Sequence, residues 1–127
     1  MKRHTAQWVL KAEGDVEVAR NAAALAKPQR DAACFHCQQA SEKYLKALLQ
    51  ELGLAVPRTH NLNDLLDLLM PHDPTLAPLR RGLKGLIRYA VEYRYPGVCA
   101  RTREMHRALR TMERVREKLR VRLGLPT

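Results

Sequence analysis

A chain of 127 residues is the size of one domain, able to bury roughly two thirds of the surface it exposes when unfolded. Hydrophobic residues make up 46% and aromatics only 5%, so the core must be Leu, Ala and Val; three cysteines argue against a disulfide scaffold and for a reducing cytoplasm. Lys plus Arg outnumber Asp plus Glu by 23 to 13, with net +2 over residues 1–64 (nine basic, seven acidic) and +8 over 65–127 (fourteen and six), a field that favours polyanions.

No apolar run nears the ~20 residues that span a bilayer, and the start MKRHTAQW lacks the apolar centre of a signal peptide. The expectation is a single cytoplasmic domain over 1–127 with no membrane contact. Residues 5–26 step by threes and fours through Val9, Ala12, Val16, Ala19, Ala23 and Ala26, which predicts one amphipathic helix ended by Pro28. A second helix over 29–52 sets Ala33, Cys37, Ala40, Tyr44 and Leu48 on one stripe, reads Glu42 and Lys46 as an outside i,i+4 pair, and stops at Gly53. Asn61 with Asp64 forms an N-terminal capping pattern for a short helix to about Met70. Residues 76–93 predict a fourth helix broken by YRYPG. The last, 99–123, points Met105, Leu109, Met112, Leu119 and Leu123 inward before Gly124 and Pro126. Short connections between long helices predict an all-α, up-and-down bundle of four to five antiparallel helices.

CFHC at 34–37 has the C-x-x-C spacing, but four-coordinate zinc needs a second ligand pair that the remaining cysteine and scattered histidines do not supply. Redox use of the pair would call for a strand-to-helix setting, which is absent. Cys34 and Cys37 are therefore read as core, and neither metal nor cofactor is expected.

The stretch CFHCQQASEKYLKALLQELGLAVPRTHNLNDLL resembles the signature of the HEPN domain, the higher-eukaryote and prokaryote nucleotide-binding domain. RYPG at 94–97 is similar to that family's Arg-Tyr-Pro element before its last helix. The resemblance covers about residues 5–120. It implies a helical bundle, usually a homodimer, that pairs with a minimal nucleotidyltransferase in a two-component, toxin–antitoxin-like system. It also implies an alternative: a metal-independent ribonuclease whose Arg and His, four to six residues apart, meet in a dimer cleft. By that alignment Arg94 is the family arginine, and Val98, Cys99 and Ala100 stand where its histidine belongs.

Arg30…His36 falls on the wrong helix for such a pair. Arg101…His106 lies nearby, but five residues on a helix turn through about 140°, so the two do not share a face. Arg101 and His106 are the catalytic candidates only under the ribonuclease reading. Nucleotide or RNA binding is instead assigned to Arg94, Tyr95, His60, Arg58, Lys43 and Lys46. Arg103, Arg107, Arg110 and Arg114 add a basic ridge opposite the Leu/Met stripe. A third alternative is a homodimeric interaction module and nothing more, its dimer surface supplied by the Leu/Met-rich last helix.

Overall fold

The structure, a computed structural model, describes residues 1–127 except for the side chain of Arg94, which lies outside the described residues. Five α-helices make up the chain: α1 (Arg3–Ala24), α2 (Arg30–Glu51), α3 (Leu62–Leu69), α4 (Arg80–Leu86) and α5 (Thr102–Arg122), with no strand among the described residues. The expected fourth helix is a composite. Residues Pro74–Leu79, Ile87–Ala90 and Glu92–Arg94 wind as 3₁₀ turns around a seven-residue α4. Pro78 lacks the N–H that a longer α-helix would use, and Gly82 and Gly85 weaken the stretch that remains.

Cross-links between helices fix their directions. Gln29 N–H donates to Ala22 O at 3.0 Å, and Lys2 N–H to Glu51 Oε1 at 3.0 Å, so both ends of the α1–α2 pair are tied antiparallel. Arg20 meets Glu113 and Arg116 meets Glu13, which makes α1 antiparallel to α5 as well. Arg88 reaches Glu104 while Gly82 lies against Thr111, so residues 80–94 run opposite to α5. The four long legs alternate up and down, with α3 packed on α2 and α4.

At the centre is α2, with thirteen buried residues that include every one from Ala40 to Leu49 except Lys43. The stripe Ala33, Cys37, Ala40, Tyr44 and Leu48 is buried as the periodicity demands. So are both cysteines at 34 and 37, whose thiols burial pushes up: Cys34 to about 12, and Cys37 well above the ordinary thiol range. The helix ends in a Schellman motif, with Gly53 N–H on Gln50 O and Leu54 N–H on Leu49 O; at φ 74° position 53 suits glycine alone without strain. Asn61 caps α3 by accepting from the N–H of Asn63 and of Asp64. In α5, Met105, Met112, Val115 and Leu119 are buried and Leu109 and Leu123 partly so. The Leu/Met stripe is thus spent inside the bundle, which corrects its reading as a dimer surface.

Gly82 sets how close α4 comes to α5. A Cβ there would lie 2.9 Å from both Cγ2 and Oγ1 of Thr111, whereas one at Gly85 meets nothing within 4 Å. Gly85→Ala is therefore expected to stabilise the fold by about 0.5–1 kcal/mol. Gly82→Ala is expected to destabilise it by about 1 kcal/mol, because overpacking costs ~1–3 kcal/mol against the ~1 kcal/mol that alanine gains in a helix. Equal gains for both in chemical denaturation would contradict the close α4–α5 contact.

Candidate functional site

Of the two lysines expected on a polar flank, Lys46 is buried and Lys43 half-buried. Lys46 is 6% exposed and its Nζ donates to Glu42 Oε2 at 3.1 Å; Glu42 itself is 3% exposed. The pair that one helix in isolation would place outside is interior, because neighbours cover α2 on every side at this level. Glu42 Oε1 also accepts from His60 Nδ1 at 2.8 Å, and Gln38 Nε2 reaches His60 O at 3.1 Å. The Lys46 ammonium stands 5.6 Å from the centre of the Trp8 ring, a cation–π contact. Lys43 Nζ meets Asp15 Oδ2 at 2.5 Å, and the other oxygen of Asp15 takes His36 Nδ1 at 2.8 Å.

The segment Thr59-His60-Asn61-Leu62 is thereby a latch. Thr59 Oγ1 accepts from Asn61 N–H, His60 fastens to Glu42, Asn61 caps α3 and Leu62 is fully buried. The His60 side chain is still 69% exposed, so its Nε2 edge remains open to a ligand. Arg58 beside it is exposed.

The 94–101 region is tied to the start of α2. Asp31 Oδ1 accepts from Ala100 N–H at 2.6 Å and Arg30 Nε donates to Ala100 O at 2.8 Å, so Arg30 and His36 are each engaged elsewhere than with one another. Glu104 gathers Arg88, the Tyr93 hydroxyl (2.9 Å), the Tyr89 hydroxyl (3.3 Å) and the Arg101 N–H (3.0 Å). The Arg88 guanidinium lies over both tyrosine rings. Tyr89 and Tyr93 therefore build a corner, while Tyr95 is 64% exposed. Arg101 and His106 are both exposed and form no pair with each other.

A groove of about 460 Å³ opens between α4 and α5, its floor made of Gly82, Gly85, Leu86 and Ala108. Arg81 stands on one wall and Arg107, Arg110 and Arg114 on the other. The sequence reading identified the α5 ridge but missed the groove, since Arg81 and the two glycines join it only when α4 lies against α5. No group of three or more His, Cys, Asp or Glu among the described residues is placed to hold a metal. No helix among them is long and apolar enough to cross a membrane.

Glu104 on the groove's lining, and Glu13 and Asp73 away from it, are held below the usual carboxylate range. Burial alone would raise Glu13, but hydrogen bonds from Arg116 and Tyr44, together with the charges of Arg116 and Arg120, outweigh it. Asp73 is likewise lowered against burial by Thr75 and Arg122. In Glu104 the Arg101 N–H contributes most, with Tyr93 and Arg88 adding to it against burial. Folded values below the unfolded ones mean that the unfolded chain binds more protons in acid. The stabilisation is full above the ordinary carboxylate pKa of roughly 4 and is lost as pH falls through the folded values. The thermal midpoint should therefore drop on acidification from about pH 5 to pH 2, and Glu13→Gln should flatten that drop.

An all-helical bundle with a latched Thr-His-Asn-Leu loop and an arginine-walled groove is the class these features define. A family model described as HEPN domain matches residues 5–122, and the chain belongs to the HEPN family, whose fold is of the nucleotide-binding and ribonuclease type. The chain is also similar to the crystal structure of an archaeal HEPN homologue, at 27% identity and a TM-score of 0.73, over 96% of this chain and 98% of that one. Comparison with curated proteins returned no match.

Proposed function

We propose that this HEPN protein binds a phosphate-bearing ligand, a nucleotide or RNA, without cleaving it efficiently. In this reading it acts as the binding member of a two-component pair with a small nucleotidyltransferase. One observation carries the binding half: Arg81, Arg107, Arg110 and Arg114 converge on one groove with no ion-pair or hydrogen-bond partner among the described residues. Elsewhere Arg20, Arg80, Arg88, Arg116 and Arg122 each sit on a carboxylate.

Weak cleavage follows from the separation of Arg101 and His106. Phosphodiester hydrolysis wants a proton-transfer group and a charge-stabilising group on the same phosphate, whereas Arg101 stands at the extended N-cap before α5 and His106 within the helix, with no contact between them. The nucleotidyltransferase partner rests on family membership, and so does a homodimer, which would use a face other than the buried Leu/Met stripe. Co-expression with a minimal nucleotidyltransferase from the same genome tests the pairing. A complex that survives gel filtration is the expected result, and separate elution of the two proteins would remove that half of the proposal.

A further inference from the structure

Four arginines crowded into one groove repel one another, and like charges three or four apart on a helix destabilise it by about 0.2–0.5 kcal/mol per pair. The acidic side chains beside them offset only part of this: Glu113 and Glu117 flank Arg110 and Arg114, and Glu113 is itself paired with Arg20. Glu104, the one carboxylate on the lining, is already occupied by Arg88, Tyr89, Tyr93 and the Arg101 N–H. An anion would relieve the repulsion. Arg107, Arg110 and Arg114 follow one another over seven residues, a rise of about 10 Å along α5. Arg81 faces them from α4. A ligand suited to that row carries repeated negative charge along its length, and planar guanidinium forks match phosphate bidentately. A groove of about 460 Å³ over two touching helices has room for the backbone of one strand and not for a duplex.

We infer that the α4–α5 groove holds the backbone of a single-stranded polynucleotide, its phosphates clamped between Arg81 and the Arg107–Arg110–Arg114 row over a glycine floor. This rests on the binding reading above and gives it a site and a ligand form. The floor supplies a test independent of charge: the space at Gly85 is empty, so Gly85→Leu fills the groove while improving helix propensity.

The experiment follows fluorescence polarisation of a short labelled oligouridylate across a salt series. Its proteins are the wild type, Arg107→Gln/Arg114→Gln, Gly85→Leu, and a control, Arg3→Gln/Lys11→Gln, which removes two exposed charges on α1. Circular dichroism confirms that each is folded. The double groove variant should bind about tenfold or more weakly, with a slope of log K against log salt shallower by about 1.4, since each phosphate neutralised on a single strand contributes ~0.7. Gly85→Leu should weaken binding severalfold at unchanged charge, and the control should change it little. Wild-type binding that the groove variants and the control affect equally would overturn the site while leaving the binding reading intact. Competition by duplex RNA as strong as by single strands would overturn the ligand form. Absence of wild-type binding would overturn both the site and the reading beneath it.

Discussion

Glu42→Ala is expected to lower the unfolding free energy by about 3–5 kcal/mol, the range for breaking a buried ion pair from one side. Glu42 is the only carboxylate among the described residues on Lys46, an ammonium 6% exposed, and it also anchors His60. Removing it strands a buried cation and unfastens the 52–61 loop from α2 in one step. Replacing both partners with apolar residues of similar size, Glu42→Leu with Lys46→Met, should recover much of the loss, because the desolvation of two charges disappears with them. Urea denaturation of the three proteins measures this. A loss below about 1 kcal/mol for Glu42→Ala would mean that water reaches the pair.

Leu48→Ala should cost about 2–5 kcal/mol through lost burial and the cavity left behind. Leu48 is 1% exposed on the helix that every other long helix packs against, in a core with few aromatics to slide into the gap. Leu10→Ala, at a position 75% exposed on α1, is the matched comparison and should change stability by less than about 0.5 kcal/mol. Midpoints that shift without a change in denaturant slope would confirm that the native packing alone is affected.

Much of the fold was legible in local pattern. The caps at Gly53, Asn61 and Gly124 are single-residue decisions of backbone chemistry, and the α2 stripe needs only a 3.6-residue period. What periodicity cannot see is how many neighbours a helix has. Glu42 and Lys46 looked external because an i,i+4 pair of opposite charge ordinarily is; their burial comes from helices distant in sequence. The 76–93 stretch read as one helix from its apolar spacing, whereas 3₁₀ turns flank a seven-residue α4, within which Gly82 lets the helix approach Thr111. The site was half visible for the same reason. The ridge on α5 follows from residue spacing, but a groove needs two walls, and Arg81 supplies the second only in three dimensions. Position 94, the arginine implied by the family resemblance, lies outside the described side chains, so the groove argument stands on the four arginines alone.

Binding without efficient cleavage is the central claim, and one sample can report both. End-labelled single-stranded RNA incubated with the purified protein is resolved on a native gel for complex and on a denaturing gel for fragments. The expected result is a shifted complex of intact RNA, with any slight cleavage unchanged by His106→Ala. Rapid cleavage abolished by His106→Ala would contradict the claim and make Arg101 and His106 the working pair of a ribonuclease.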